Sequence, residues 1–334
     1  MKKHTPMAVA IASALGMLVL ILDAKTALSG AAAGVELCIR TVIPSLFPFF
    51  FLSVMLTATL VGRALPPLRW LGRLLRLPEG AECIYITGLL GGYPVGAQNI
   101  AVACKNGQLT TRDGRRMLTF CSNPGPAFLF GIGSTVFADP SRCWLVWAMV
   151  ILSSLAVGML TPGRPQECRL AGNVHAPKLS DALRTSVITL ALVCGWVVIF
   201  RVILAFADRW FLWLLAGNSR LLAYGFTELS NGCCALAQLT SEDDKIILYT
   251  VFLCFGGLCV LLQTDSVMAG SGVDPRMYLP GKLAQTAITF LLSCLVTGYF
   301  PWFWMLPAVM TCVIYRIWAE KFQNSSRNRR CVGV

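Results

Sequence analysis

The chain has 334 residues, of which 56% are hydrophobic and only 13% are charged. Average soluble proteins carry about 25% charged residues, so this composition excludes a soluble enzyme and a disordered chain and predicts an all-α polytopic membrane protein. Lys and Arg number 28 against 16 Asp and Glu. In a membrane protein this excess indicates basic cytoplasmic loops, not nucleic-acid binding.

Eight stretches are apolar and long enough to cross a membrane, which takes about 20 residues of helix. In chain order they are 7–22, 41–61, 119–138, 143–161, 183–206, 246–263, 283–299 and 302–318. Lys2 and Lys3 precede the first stretch and small residues follow it, a pattern that is also typical of a cleaved signal peptide. We favour an uncleaved first helix, because polytopic proteins usually retain the segment that sets their orientation.

Two further stretches are apolar but interrupted. The stretch 81–104 contains several glycines and a proline, and the stretch 221–239 contains glycines, a glutamate and an asparagine. Non-helical backbone at membrane depth is tolerated only where it is buried in protein or lines a cavity. Both stretches are therefore predicted to be re-entrant hairpins, which enter the membrane and return on the same side.

Charge supplies an independent argument for the first hairpin. Basic residues occur on both of its flanks, in 63–76 and in 105–116. Both flanks can be cytoplasmic only if the stretch between them returns, and with two hairpins every short loop obeys the positive-inside rule. The acidic segment 242–244 then lies outside. Both termini are then predicted to lie in the cytoplasm.

With this topology the chain contains two similar units of opposite orientation, each composed of a span, a hairpin and two more spans. Such an inverted repeat is a recurrent architecture of secondary transporters. The predicted organisation is a first helix and outer loop at 1–40, a first repeat at 41–161, a cytoplasmic linker at 162–182, a second repeat at 183–299, and a last helix with a basic tail at 300–334.

Glycines and polar residues of the two repeats form a candidate binding site for a small polar solute or ion. Broken helices at a hairpin tip expose backbone donors and acceptors to a cavity near the middle of the membrane. The candidate residues are Gly91, Gly92, Tyr93, Pro94, Gln98, Asn99, Ser122, Asn123, Glu228, Ser230, Asn231 and Gln263. For the glycines alone, tight helix packing is an equally good interpretation.

Glu228 is the clearest ionisable residue inside a predicted membrane element. A carboxylate there is costly and is by default a functional hypothesis, as a cation ligand, a proton carrier or an acceptor for a solute. The alternative is a position at the water-exposed mouth of the hairpin. Asn123 is expected either to face the cavity or to cap the following helix. Arg201 is expected to snorkel to the outer interface, and Lys282 to be an ordinary loop charge at the inner one.

Cysteine and histidine do not indicate a metal site, a cofactor or catalysis. Most of the 14 cysteines lie in apolar stretches, and none has the C-x-x-C spacing. Cysteine in such places behaves as a small hydrophobe. The two histidines, His4 and His175, lie outside the apolar stretches, and no paired carboxylates or Ser/His or Cys/His pair share a predicted depth. The sequence therefore predicts a protein that is not an enzyme.

Several motifs resemble those of the YlbJ-type sporulation integral membrane proteins. They are PSLFPF at 44–49, GGYPVGA at 91–97, FCSNPGPAF at 120–128, ELSNG at 228–232 and FGGLC at 255–259, followed by Gln263. They occur in order from about the second span to the seventh. The chain departs from the family at Gln98, where a lysine is usual, and at Ser122, where Asn-Asn is frequent instead of Ser-Asn.

The resemblance implies a fold and a function. This family is assigned to the nucleoside-recognition, or Gate, domain group, which is similar in plan to concentrative nucleoside transporters. The resemblance implies an inner-membrane protein of spore formation that is a Gate-type transporter or channel for a small polar solute or ion. The alternative is a non-transporting membrane component of a spore-assembly complex. The implied partners are membrane lipids, the solute, and other copies of the chain or spore-assembly membrane proteins.

Overall fold

A computed structural model describes residues 5–63, 65–163, 178–215 and 218–331. All regular secondary structure in these ranges is helical. The predictions that rest on Lys2, Lys3, His4 and His175, and most of the predicted linker 162–182, lie outside the described residues.

Within the described ranges the chain forms sixteen α-helices. The first nine are α1 (Thr5–Leu22), α2 (Ala24–Leu37), α3 (Ile43–Leu60), α4 (Arg69–Leu75), α5 (Glu82–Gly91), α6 (Val95–Lys105), α7 (Thr111–Leu118), α8 (Pro126–Val136) and α9 (Arg142–Leu160). The others are α10 (Leu179–Trp210), α11 (Asn218–Thr227), α12 (Leu229–Ala235), α13 (Glu242–Phe255), α14 (Gly257–Met268), α15 (Tyr278–Thr297) and α16 (Trp302–Cys331).

Five helical segments of the described chain are long and apolar enough to cross a membrane. They are α9, α10, α13 together with α14, α15 with the turn before it, and α16. The pair α1 and α2 passes the same test as one segment, but it is bent by 98°. Large apolar side chains remain exposed along α1, α10 and α16, where lipid replaces water as the solvent. The chain is thus an all-helical, multi-pass membrane protein, whereas the eight spans and the inverted repeat remain predictions.

The predicted span 119–138 is not one continuous helix. Residues 119–125 are non-helical, and α8 has only 11 residues, which is about 16 Å of helix and too short to cross alone. The cause is local. Pro124 and Pro126 lack the N–H that a helix needs, and Gly125 between them is extended, with φ −81° and ψ 153°.

Residues 23–40, expected to be a loop, instead form α2 and the start of a π-helical turn, Cys38–Val42. This segment is rich in alanine, which favours helix, and Asp23 caps it by accepting from the Thr26 amide at 3.3 Å. Asp23 also pairs with Arg209 at the end of α10, at 2.8 Å. The bend between α1 and α2 is therefore fixed to the end of α10.

The helices α2 and α10 pack closely in antiparallel directions. A Cβ added to Gly30 would lie 2.9 Å from Val202 Cα, and one added to Gly34 would lie 2.8 Å from Val198 Cα. One turn further, Cys38 Sγ lies 3.7 Å from the carbonyl oxygen of Cys194. Small residues on α2 thus allow backbone-to-backbone contact with α10.

Both interrupted stretches are helical hairpins. In the first hairpin, α5 and α6, Gly88 and Gly96 face each other, because a Cβ added to Gly88 would lie 3.1 Å from Gly96 Cα. In the second hairpin, α11 and α12, a Cβ added to Gly232 would lie 2.2 Å from Gly225 Cα. Each glycine pair lies about one turn from its tip, so the two helices of each hairpin approach closely near that tip.

The predicted span 246–263 falls on two helices, since the chain breaks between α13 and α14. Gly256 and Gly257 have φ values of +83° and +76°, a left-handed conformation that glycine adopts without steric cost. The break lies beside the tip of the second hairpin: a Cβ added to Gly257 would lie 3.2 Å from the Thr227 carbonyl oxygen.

Candidate functional site

A cavity of about 240 Å³ lies where the tips of the two hairpins come together. Six of the twelve candidate residues line it: Gly91, Gly92, Tyr93, Glu228, Ser230 and Gln263. The rest of the wall is mainly apolar and comes from α3, α8, α10, α14 and neighbouring segments. We call this space the central cavity.

The first hairpin tip reaches the central cavity through close backbone contact. Gly92 has φ +82°, and a Cβ there would lie 2.8 Å from the Gly125 amide nitrogen. Tyr93 follows, and its hydroxyl donates to the carbonyl oxygens of Leu253 at 3.1 Å and Cys254 at 3.2 Å. The first tip is therefore bonded to the end of α13, in the other half of the chain.

The second hairpin tip is formed by Glu228, which caps α12. Its carboxylate accepts from the amides of Ser230 at 3.0 Å and Asn231 at 2.8 Å. The residue is only 3% exposed, so it does not lie at a water-exposed mouth. The side chain thus caps the first turn of α12, while the residue also contributes to the wall of the central cavity.

Arg201 lies between the central cavity and a second pocket, and it lines both. The second pocket has a volume of about 280 Å³ and is lined by residues that include Ser29, Asp208, Tyr224 and Asn231. The Arg201 guanidinium donates to the Asn231 side-chain oxygen. The snorkelling of Arg201 to the outer interface stays a prediction, and the side chain is fixed by this contact with Asn231. Asn231 belongs to this second pocket and not to the central cavity.

Lys282 is not a loop charge, because it lies inside α15 and is completely buried. Its ammonium donates to the Gln285 side-chain oxygen at 2.6 Å, to the Tyr93 hydroxyl at 3.2 Å and to the Ser122 carbonyl oxygen. We call Lys282 and these three partners the Lys282 cluster. The cluster lies directly behind the first hairpin tip, since Tyr93 belongs to both the cluster and the cavity wall.

Ser122 and Asn123 belong to the region of the Lys282 cluster and not to the cavity wall. Asn123 donates to the Phe120 carbonyl oxygen at 2.8 Å and accepts from the Gln285 amide at 2.8 Å. It therefore neither faces the central cavity nor caps α8. Instead, Asn123 and Gln285 connect the non-helical segment 119–125 to α15.

Three further candidate residues lie apart from the cavity wall, whereas Gln263 contributes to it. Asn99 is buried in the first hairpin and donates to the Thr87 hydroxyl at 2.8 Å. Gln98 is 1% exposed, and neither polar atom of its amide has a partner among the described residues. Pro94 immediately precedes α6. Gln263, which does line the cavity, donates to Cys259 Sγ at 3.2 Å.

Sequence reasoning missed Lys282, Gln285 and the contact of Arg201 with Asn231. A signal for the first two was present: Lys and Gln at a spacing of three residues fall on one helix face. The predicted span began at 283, but the helix begins at Tyr278, so Lys282 was placed outside it. No group of three or more His, Cys, Asp or Glu among the described residues is arranged to hold a metal ion.

Comparison with known proteins gives one relative. The chain is 25% identical over 303 residues to the sporulation integral membrane protein YlbJ of Bacillus subtilis (strain 168), covering 75% of this chain and 73% of the relative. The resemblance to YlbJ-type proteins is confirmed. No family model matches the chain, and no solved structure matches it. The similarity to YlbJ-type proteins therefore rests on this relative and on the motifs.

Proposed function

We propose that this chain is a membrane protein of spore formation that transports a small polar solute or ion, as a Gate-type transporter or channel. The sporulation role is inferred from the name of the YlbJ relative. The transport role is inferred from one observation: the central cavity is lined by the tips of both hairpins, with Gly92 on one side and Glu228 on the other.

An inverted repeat is part of this proposal, and several contacts support it. The helix α2, which continues through α3 toward the first hairpin, is antiparallel to α10, which leads into the second hairpin. The helix α3 also packs on α10. In the two predicted repeats, α6 corresponds to α12 and α8 corresponds to α14. The contact of α6 with α14 then corresponds to the contact of α12 with α8, and both contacts are present. These are the pairings expected when a two-fold axis in the membrane plane relates the hairpins.

The polar side chains of the cavity wall are few. Glu228 and Arg201 supply one charge of each sign, and Ser230 and Gln263 supply neutral hydrogen-bonding groups. An apolar cavity with a few convergent polar groups is the usual form of a small-molecule site. This arrangement suits a small solute with polar groups, and we assign no catalytic role to it.

Arg201 is proposed to control access to the central cavity. Its bond to Asn231 joins α10 to α12 where the second pocket approaches the cavity. A long cationic side chain between two pockets can open the passage by a change of rotamer, without movement of a helix. The second pocket would then be the entry or exit on that side of the protein.

Filling the cavity tests the transport function. Val197 lines the cavity and is buried, whereas Ile199 on the same helix is 49% exposed. We expect the chain to restore spore heat resistance to a Bacillus subtilis strain lacking YlbJ. We expect Val197→Trp to abolish this restoration and Ile199→Trp to preserve it. Membrane levels of both variants are measured, and Val197→Leu shows whether the site tolerates repacking. Full heat resistance with normally expressed Val197→Trp would favour a non-transporting component of a spore-assembly complex.

A further inference from the structure

The Lys282 cluster holds a buried charge with neutral partners only. Lys282 has no exposed surface and, within the described part of the chain, forms no ion pair. The ammonium also lies over the rings of Tyr93, at 4.9 Å from the centroid, and Tyr278, at 5.7 Å. An isolated charge in such a place is costly and marks a functional residue by default.

The ionisable groups that face Lys282 are all neutral at pH 7 in their ordinary states. They are the phenols of Tyr93 and Tyr278 and the thiols of Cys121 and Cys254. They come from the first hairpin tip, from α15 itself, from the segment 119–125 and from α13. No described carboxylate on these elements compensates the ammonium, so its stability depends on hydrogen bonds and ring contacts.

The three oxygen partners of Lys282 come from three separate elements. Tyr93 belongs to the first hairpin tip, Ser122 to the non-helical segment 119–125, and Gln285 to α15. Hydroxyl, carbonyl and amide oxygens are the kind of neutral ligands that bind small cations in proteins. The ammonium is thus surrounded by the same kinds of oxygen atom that bind small cations in other proteins.

We propose that Lys282 is a proton-binding site whose ammonium holds the first hairpin tip in place, and that loss of its proton releases the tip. A lysine ammonium has three N–H donors, and here each has one acceptor. The neutral amine retains two N–H groups, so one of the three acceptors loses its partner and the other two lose charge-assisted bonds. The proton that leaves Nζ passes to solvent water.

Release at Tyr93 affects both halves of the chain. Its hydroxyl accepts from Lys282 and donates to the Leu253 and Cys254 carbonyl oxygens, just before the break at Gly256. The protonation state of one lysine is thereby coupled to the first hairpin tip and to the end of α13. Use of this switch to drive solute movement rests on the proposed function, whereas the switch itself does not.

Hydrogen exchange followed by mass spectrometry tests the proposal on the full chain in detergent or lipid nanodiscs. The reporter amides are those of Val95 and Gln98, which donate to Gly92 and Pro94 carbonyl oxygens at 2.8 Å and 2.9 Å. Rates are corrected for intrinsic exchange between about pD 6 and about pD 10, below the ordinary pKa of lysine and up to it. We expect protection of these amides to fall about tenfold or more as the lysine loses its proton.

Three variants complete the experiment. Lys282→Met should be weakly protected at every pD, and Lys282→Arg, which keeps its charge, should be protected at every pD. Lys245→Met is the matched control, because Lys245 is also buried but pairs with Glu242 at 2.7 Å, and it should follow the parent. Protection in the parent that does not depend on pD, or a fall that Lys282→Met or Lys282→Arg reproduces, would overturn the proposal. Exchange needs no solute, so its result is independent of the cavity-filling test.

Discussion

The two hairpins reach the same cavity, but their tips are stabilised in different ways. The second tip has its own cap, because Glu228 accepts from two amides of the helix that it begins, and the contact of Asn231 with Arg201 lies on the side of the second pocket. The first tip depends on the rest of the protein: Gly92 packs on Gly125, and Tyr93 bonds to Lys282 and to the end of α13. A tip held by its own side chain keeps its shape when its surroundings change. A tip held by other elements moves with them, so the first hairpin is the one we expect to move.

The largest effect expected is all-or-none and concerns topology. If both hairpins are re-entrant, cysteines introduced at Arg73 and Arg112 are labelled from the same side of the membrane. Cysteines introduced at Trp213 and Ser241, which flank the second hairpin, are labelled from the opposite side. The measurement is modification by an impermeant thiol reagent in intact cells, with the labelled peptides identified by mass spectrometry. Labelling of Arg73→Cys and Arg112→Cys from opposite sides would show that the first hairpin crosses the membrane. The two hairpin tips would then not be equivalent.

The next largest effect is expected at the first tip. Gly92→Ala introduces a Cβ 2.8 Å from Gly125 at φ +82°, whereas Gly107→Ala has a similar φ of +70° with no atom within 4 Å. Gly107→Ala should cost about 1–2 kcal/mol for the backbone conformation alone, and Gly92→Ala about 1–3 kcal/mol more for the steric overlap. Thermal unfolding in detergent and spore heat resistance measure the difference. Equal effects of the two substitutions would mean that the first tip does not need this contact.

Glu228 gives a smaller effect, because its role in the second tip is local. Glu228→Ala removes the cap and should cost about 1 kcal/mol. Glu228→Gln keeps one acceptor oxygen and should cost less. Ser241→Ala is the control, since Ser241 caps α13 at an exposed site by accepting from the Asp244 amide at 3.2 Å. Unfolding in detergent measures all three. A Glu228→Gln variant that is stable but loses spore heat resistance would assign the carboxylate a role beyond the cap.

The smallest effect is expected from Arg201. Arg201→Ala removes the bond to Asn231 and should raise severalfold the rate at which a thiol reagent modifies Cys259, a residue of the cavity wall. The control is Arg220→Ala, because Arg220 pairs with Asp208 at 2.8 Å at the surface and does not line the central cavity. An unchanged rate in Arg201→Ala would show that this side chain does not limit access.

Sequence reasoning located the features that depend on local backbone chemistry. The breaks at Gly92 and Glu228 were predicted, because glycine, proline and a carboxylate within an apolar stretch disfavour a simple spanning helix. The spans at α9, α10 and α16 were also located, since long apolar runs are a strong signal. Pro124 and Pro126 carried the same kind of signal, yet the apolar residues around them led to the prediction of a continuous span at 119–138.

Features that depend on distant partners could not be predicted. Whether Lys282 is a loop charge or a buried ammonium depends on oxygens from Tyr93 and Ser122, which are far away in the chain. The division of the candidate residues between the cavity wall and the Lys282 cluster has the same cause, because the spacing of Asn123 or Gln98 from a hairpin tip does not determine where a side chain packs. Residues 23–40 were expected to form a loop. Their alanine content favours helix, but their packing on α10 is a tertiary contact that the sequence does not reveal.

The packing of α2 on α10 has a consequence for synthesis of the protein. Cys38 and Cys194, which are in contact, are separated by 156 residues. At roughly 5–20 residues per second of translation, α2 waits about 8–31 s for its partner. During that time Gly30 and Gly34 present their backbone to lipid or to an insertion factor. In the early folding intermediate the glycine face of α2 is therefore uncovered. It is covered only after α10 has been synthesised and has packed on it.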